Sequence, residues 1–113
     1  MDCVFCGIAR GEILSKIVHQ DDELLAFRDI RPQAPVHMLI IPIRHIETVL
    51  DLSPEDDRLV GQMVLLANRL AREEGIDREG FRLVFNCKQH GGQDVFHIHL
   101  HLLGGRALSW PPG

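Results

Sequence analysis

The chain has 113 residues, of which 45% are hydrophobic and 25% charged, with a formal net charge of -4. This size and composition predict one globular domain with a core of its own. The acidic balance argues against a protein that binds nucleic-acid backbones by electrostatics, and no apolar run reaches the roughly 20 residues that a membrane-spanning helix needs.

The N-terminal residues and the cysteines bear on the compartment. Met1-Asp2-Cys3 has neither the basic start nor the apolar core of a signal peptide, so the expected compartment is the cytoplasm. The three cysteines, Cys3, Cys6 and Cys87, cannot form a disulfide framework. In a reducing compartment we expect them to be thiols or metal ligands.

The first predicted element is a short helix that ends near Gly11. Phe5 and Ile8 lie three residues apart, which indicates one or two helical turns between Cys3 and Arg10. The Cys-x-x-Cys spacing has two interpretations. It can be two small buried thiols beside Phe5, or half of a zinc site with four ligands.

Two strands are predicted next, over residues 17–20 and 24–29, because two apolar runs flank an acidic turn. Asp29 closes the second strand just before a turn that contains proline. Its carboxylate can cap that turn, or it can accept hydrogen bonds from a pair of sugar hydroxyls.

The apolar run over residues 37–42 predicts a central strand that ends at Pro42. His37 and His45 lie at the two ends of this region. Taken singly, each is interpreted as structural, and His45 gains interest only as a further ligand for the cysteines.

A long helix follows, since Ser53 and Pro54 begin it and Gly75 ends it. Apolar residues recur at three- and four-residue steps from Leu59 to Ala71, so the helix is predicted to cover a sheet. A fourth strand is predicted over residues 81–87 from its alternating apolar residues.

Residues 88–94 form a loop with Gly91 and Gly92, which let the backbone approach a ligand. The loop leads into Phe96-His97-Ile98-His99-Leu100-His101-Leu102-Leu103-Gly104-Gly105, predicted as a strand. Alternation places its three histidines on one face and its apolar residues on the other. Neighbouring imidazoles would then lie roughly 6.6 Å apart at Cα, close enough to hold one phosphoryl group or one metal ion. Clustered titratable groups of this kind mark functional sites.

The histidine segment resembles the His-x-His-x-His motif of the histidine triad (HIT) family, hydrolases and transferases that act on nucleotide α-phosphates. The resemblance covers nearly the whole chain. It extends to Asp29-Ile30-Arg31-Pro32-Gln33-Ala34-Pro35, Ile41-Pro42 to His45, Gly91-Gly92-Gln93 and Gly104-Gly105-Arg106. With the closing Trp110-Pro111-Pro112-Gly113, the chain is similar to the Hint branch of purine nucleoside phosphoramidases.

The resemblance implies an α+β fold for a single HIT domain over residues 1–113. Its sheet would have five antiparallel strands, accompanied by one long helix and a short N-terminal helix. It also implies a homodimer in which the two sheets join and the C-terminal tail reaches toward the partner's site. The implied substrates are purine nucleoside phosphoramidates and aminoacyl-adenylates, the implied product is the nucleoside monophosphate, and no cofactor is required for catalysis.

The resemblance also assigns roles to residues. His99 would attack the α-phosphorus to form a nucleotidyl-histidine, which water then hydrolyses, while His101 would donate to a phosphate oxygen or help the leaving amine take a proton. His97 completes the triad. The family pattern places Asp29 on the ribose hydroxyls. It places five residues around the base: Val4, Phe5, Ile8, Phe27 and Ile30.

The loop before the triad supplies the remaining predicted contacts. Asn86 and Gln93 match polar positions near the ribose or phosphate, and the amides from Gly92 to Asp94 can stabilise phosphate charge. The chain departs from the family at Asp94, where close relatives often carry serine. A carboxylate there would repel an anionic substrate and favour a cationic amine in the leaving group.

Some members of the family bind zinc, and the matching residues here are Cys3, Cys6, His45 and His97. Such a Cys₂His₂ set would form a closed structural site. Two other functions stay open: a zinc-dependent hydrolase that uses the three histidines as ligands, and a non-catalytic nucleotide-binding or adaptor protein.

Overall fold

The computed structural model describes residues 3–113, so the expectation drawn from Met1 and Asp2 lies outside the described residues. Within this range no helix is both long and apolar enough to cross a bilayer. The elements, in chain order, are α1 (Val4–Ala9), β1 (Ile17–Gln20), β2 (Leu24–Arg28), β3 (Val36–Pro42), α2 (Asp57–Glu73), β4 (Phe81–Phe85), α3 (Lys88–Gly91) and β5 (Leu100–Gly104).

The five strands form one antiparallel sheet in the order β1-β2-β3-β5-β4. This confirms the predicted α+β fold with a five-stranded antiparallel sheet, a long helix and a short N-terminal helix. β3 is the central strand and is buried along its whole length. The strand is apolar along its length because both of its faces are covered, and alternate residues enter two different cores.

One core lies between the sheet and α2, and the other lies between the sheet and α1. Met38 and Ile40 of β3 belong to the first, together with the apolar stripe of α2. Leu39 and Ile41 belong to the second, together with Phe5 of α1. The small core under α1 therefore shares the sheet face on which the candidate site lies.

The start of α2 follows the sequence prediction with one refinement. Pro54–Asp56 forms a 3-10 turn before the α-helix begins at Asp57. The Asp56 carboxylate accepts a hydrogen bond from the Ser53 backbone N–H at 2.9 Å and pairs with Arg44. These contacts fix the entry of the helix and hold the pKa of Asp56 below its usual value.

Two strand predictions require correction. The strand predicted over residues 81–87 ends at Phe85, because residues 88–91 turn into α3. The strand predicted from Phe96 begins only at Leu100, since the Ile98 N–H donates to the Ile46 carbonyl at 2.8 Å, in the loop that follows β3. His97 and His99 therefore precede the strand, and only His101 lies in it.

The predicted alternation nevertheless survives outside the strand. Ile98, Leu100 and Leu102 all enter the core under α2, while His97 and His99 are buried on the other side. Phe96 was expected on the apolar face, but it is 46% exposed. The chain has not yet joined the sheet at that residue, so no core surface lies beneath it.

Candidate active site

A cavity of about 440 Å³ opens between α1, the end of β2 and the histidine segment. Phe5 packs edge-on against Phe27, with 5.3 Å between the ring centroids, and forms the apolar end. Seven residues predicted to contact the nucleotide line this cavity: Val4, Phe5, Ile8, Phe27, Asp29, Ile30 and Asp94. His99 and His101 line it as well. The structure thus brings together an apolar surface, a carboxylate and two imidazoles.

His99 is held in one tautomer by the backbone. Its Nδ1 lies 2.8 Å from the His97 carbonyl oxygen. Because a carbonyl can only accept, Nδ1 carries the hydrogen and Nε2 keeps a free lone pair. The residue is 4% exposed, and the Phe5 ring packs against the imidazole at 5.1 Å. The neutral form of His99 is therefore held as the tautomer with Nε2 available, which is what a nitrogen nucleophile requires.

His101 is oriented by a chain of hydrogen bonds that starts at the backbone. The Gln33 N–H donates to His37 Nδ1 at 3.0 Å, so the hydrogen of neutral His37 lies on Nε2. That nitrogen donates to His101 Nδ1 at 2.9 Å, which leaves the hydrogen of His101 on its Nε2. Within residues 3–113 this buried Nε2 has no hydrogen-bond partner. It is a donor suited to a phosphoryl oxygen.

Burial sets the protonation of this histidine pair. Burial, with the neighbouring His99 and His37, lowers the pKa of His101 to about 4. Burial also lowers the pKa of His37, although the nearby Asp29 carboxylate opposes this effect. Both imidazoles are therefore neutral near pH 7, as the hydrogen-bond chain requires.

Asp29 caps the turn after β2, which is one of the two roles considered for it, and its contact with sugar hydroxyls stays a prediction. One carboxylate oxygen accepts the Arg31 N–H at 2.8 Å, which caps the turn after β2. The other lies 3.4 Å from His37 Nε2, and the residue lines the cavity. A second cavity of about 620 Å³ adjoins the first along Asp29 but is not lined by His99 or His101. Because both imidazoles line only the 440 Å³ cavity of these two, we place the candidate site there.

His97 points away from the cavity. Its Nε2 donates to the Pro42 carbonyl at 2.7 Å, so Nδ1 is left as an acceptor. Nδ1 lies 3.4 Å from Cys3 Sγ, 3.6 Å from Cys6 Sγ and 3.2 Å from His45 Nδ1. Burial lowers the pKa of His97, which favours the unprotonated nitrogen. Burial also raises the pKa of the Cys6 thiol.

These four side chains fit a tetrahedral metal ion. Their ligand atoms all lie within 4.8 Å of one another. Bond lengths of about 2.3 Å to sulfur and 2.0–2.1 Å to nitrogen would separate tetrahedral zinc ligands by roughly 3.3–3.8 Å, and the measured separations from His97 fall close to this range. The sequence prediction that Cys3, Cys6, His45 and His97 converge is confirmed in position.

Three residues predicted to contact the nucleotide do not line the cavity: Asn86, Gly92 and Gln93. The Gln93 side chain is committed within the loop. Its oxygen accepts the Lys88 N–H at 2.9 Å and its nitrogen donates to the Glu47 carbonyl at 2.7 Å. Gln93 therefore shapes the loop before the histidines. Contacts of these three residues with a nucleotide stay a prediction.

His37 is the residue that sequence reasoning left out of the site. It was interpreted as structural, yet it connects His101 to Asp29. Its partner in the β3–β5 register is Leu103, so it lies diagonal to His101 on one sheet face. The sequence shows that His37 lies two residues before Leu39, and so on the same face of β3. It does not show that β3 pairs with β5 in the register that brings His37 next to His101.

Three comparisons place the chain among known proteins. Residues 2–109 match the family model described as "Scavenger mRNA decapping enzyme C-term binding". The chain is 53% identical over 108 residues to the purine nucleoside phosphoramidase of Escherichia coli strain K12, covering 96% of this chain and 91% of that protein.

Solved structures of histidine triad proteins are also similar to this chain. A HIT family hydrolase from Legionella pneumophila Philadelphia 1 is 54% identical, with a TM-score of 0.97, covering 99% of this chain and all of the other. A Zn-bound histidine triad family protein from Mycobacterium smegmatis is 35% identical, with a TM-score of 0.81, covering 94% of this chain and 76% of the other. With these similarities and the geometry above, the chain belongs to the histidine triad family.

Proposed function

We propose that this protein is a hydrolase that cleaves the P–N bond of purine nucleoside 5'-phosphoramidates, and that it also acts on aminoacyl-adenylates. The observation that carries the proposal is His99, whose free Nε2 is fixed by its backbone hydrogen bond and faces a cavity of nucleotide size. The similarity to the E. coli purine nucleoside phosphoramidase supports the same chemistry.

The lining of the cavity suggests how a nucleotide would lie in it. The base packs against Phe5 and Phe27 at the apolar end, with Val4, Ile8 and Ile30 around it. The two ribose hydroxyls donate to the Asp29 carboxylate. The α-phosphate then lies at His99 and His101.

The reaction proceeds in two balanced steps. His99 Nε2 forms a bond to phosphorus as the P–N bond breaks, and the departing amine takes up one proton from solvent. Water then attacks phosphorus and gives up one proton to solvent, the P–Nε2 bond breaks, and the nucleoside monophosphate is released with His99 restored. His101 Nε2–H donates to a phosphoryl oxygen in both steps. Because its pKa is about 4, His101 acts as a neutral hydrogen-bond donor rather than as a cationic acid.

The cluster of Cys3, Cys6, His45 and His97 is proposed as a structural zinc site. The Zn-bound family member from M. smegmatis supports the choice of metal. Zinc there would supply a cross-link between α1 and the segments around His45 and His97. Four protein ligands would close the coordination shell there, and His97 does not line the cavity that His99 and His101 share, which argues against a zinc-dependent hydrolase with the three histidines as ligands.

The protein is further proposed to act as a homodimer joined along β4. This strand is the last in the sheet order, so one of its edges has no neighbouring strand among the described residues. The tail lies beside that edge, because Arg82 of β4 donates to the Ser109 carbonyl at 2.7 Å and stacks near Trp110. A cytoplasmic location, expected from the N-terminal residues, and the absence of nucleic-acid partners, expected from the net charge, stay predictions.

His99→Ala tests the proposed activity. We expect turnover of adenosine 5'-phosphoramidate to fall by about a thousandfold or more, because no other side chain can accept the nucleotidyl group. Binding of AMP, followed by calorimetry, should change little. His19→Ala, which removes a histidine in β1 far from the cavity, should retain full turnover. Binding of AMP by the unsubstituted protein without turnover of any phosphoramidate would favour the adaptor function instead.

A further inference from the structure

A third cavity, of about 300 Å³, lies beside the proposed phosphate position. Val4, Asp94 and Val95 line both this cavity and the nucleotide cavity, and Asp94 is the charged residue among them. Its carboxylate oxygen lies 3.5 Å from His99 Nε2. The boundary between the cavities therefore lies beside the proposed nucleophile.

Seven residues line this third cavity, and two of them, Cys3 and His45, belong to the proposed zinc cluster. Asp94 and Glu47 contribute two carboxylates to its lining, and none of its seven lining residues is Lys or Arg. Val4, Val95 and Phe96 supply apolar surface beside them. A small cavity with carboxylates at its edge and apolar walls suits an alkyl chain that ends in an ammonium group.

Asp94 has room to yield to a substrate. Its side chain is 82% exposed, whereas the imidazole of His99 beside it is buried. A phosphoryl group that reaches Nε2 would be repelled by a carboxylate held in place. Rotation of Asp94 toward the third cavity removes that repulsion and brings its charge to the departing group.

We infer that this third cavity, bounded by Asp94 and Glu47, receives the departing amine and selects amines that carry an additional positive charge. The inference rests on the proposed phosphoramidase activity and specifies its substrate class. Nucleoside and amine then occupy two different cavities, and Asp94 is the carboxylate that lines both.

Three adenosine 5'-phosphoramidates of equal length test this specificity. Their leaving amines are 1,4-diaminobutane, 4-amino-1-butanol and 4-aminobutyrate, which end in a cation, a neutral hydroxyl and an anion. We expect kcat/KM to fall in that order, with about a tenfold preference for the cation over the neutral chain at low salt. The preference should shrink in 0.5 M salt, since charges on exposed groups are screened.

Variants locate the source of the preference. Glu47→Gln should reduce the preference by about threefold, because it removes one of the two carboxylates that line the third cavity. Asp94→Asn should reduce the same ratio. Glu79→Gln removes an exposed carboxylate that lines none of these cavities, and it should retain the full preference.

Two results would separate the inference from the proposed activity. Equal kcat/KM for the three substrates, or a preference that survives both Glu47→Gln and Asp94→Asn, overturns the amine subsite and leaves the phosphoramidase intact. If neither these substrates nor unsubstituted adenosine 5'-phosphoramidate is hydrolysed, the proposed activity itself fails, and the subsite with it.

Discussion

His37 and His101 form a hydrogen-bond chain in which the tautomer of each is set by the group before it. The backbone N–H of Gln33 sets His37, and His37 sets His101. The backbone N–H of Gln33 thus determines, through His37, which nitrogen of His101 presents its proton to the phosphate. His37 touches no reacting atom in the proposed reaction, so it is a positioning residue.

Replacing His37 by Phe tests this role. Without the donor at Nε2, His101 is free to move its hydrogen to Nδ1 and present a lone pair to the phosphate. We expect kcat for phosphoramidate hydrolysis to fall by about 10- to 100-fold while AMP affinity changes little. His37→Gln, whose amide retains a donor, should recover part of kcat. A loss of AMP affinity as large as the loss of kcat would contradict a positioning role.

The low pKa of His101 predicts how stability depends on pH. The unfolded chain takes up a proton on this histidine near pH 6.5, but the folded protein does so only near pH 4. Between these values the unfolded state binds more protons, so the free energy of unfolding falls as pH decreases from 6.5 toward 4. The slope from this group reaches about 1.4 kcal/mol per pH unit. His37, whose pKa is also lowered by burial, adds to the same slope.

Urea denaturation at pH 4.5, 5.5 and 6.5 measures this effect, with a chelator present so that metal release does not contribute. The carboxylates of Asp21 and Asp56 have lowered pKa values, so their stabilisation is lost only below the chosen window. His101→Gln should show a smaller slope than the unsubstituted protein. An equal slope in both proteins would assign the effect to other groups.

Most elements follow from local patterns. α2 was predicted from its cap and its apolar stripe, and that stripe packs on the sheet as expected. The β1–β2 hairpin was predicted from its acidic turn, where Asp21 accepts the N–H groups of Glu23 and Leu24 at 2.8 Å each. Both signals lie within a few residues of the element they define.

The free edge of β4 predicts the assembly state. Two chains of 12.8 kDa joined along this edge would give a particle of about 25.6 kDa, twice the chain mass, in sedimentation velocity at micromolar concentration. Val84→Lys places a charge on the edge strand and should shift the protein toward the single-chain mass. Leu65→Lys on the exposed face of α2 should leave it unchanged. A single-chain mass for the unsubstituted protein would rule out the proposed dimer.

At the scale of the whole molecule, the proposed zinc ligands join parts of the chain that are distant in sequence. Cys3 and Cys6 belong to the start of α1, His45 follows β3, and His97 precedes β5. A metal ion there would tie α1 to the sheet and so support the wall of the nucleotide cavity to which Phe5 belongs.

Metal analysis and thermal unfolding test this cross-link. We expect about one zinc per chain, and chelation should lower Tm by more than about 5 °C, because the metal binds only the folded state. Turnover at 25 °C should persist after chelation. Cys6→Ser should lose the metal, whereas Cys87→Ser, which changes the cysteine outside the cluster, should keep it. Equal zinc content in the two variants would contradict the assignment.

The sequence by itself determined the elements, the family and the residue types of the site. Periodicity and turn residues act over a few positions, so they could be read without a structure. The motif around His99 was sufficient to indicate nucleotide chemistry. Seven of the residues predicted to contact the nucleotide were found to line the cavity for the same reason, since α1 and the end of β2 are local elements.

The family resemblance had already given the three histidines different roles, but only the tertiary structure shows which contacts orient each of them. The acceptor that orients His97 is the Pro42 carbonyl, 55 residues away, and the partner of His101 is His37, 64 residues away. Neither contact leaves a signal in the local sequence. The tautomer of an imidazole depends on what its other nitrogen contacts, and strand register decides those contacts. His99 therefore faces the nucleotide cavity while His97 faces the cysteines, although a simple alternation would have treated them alike.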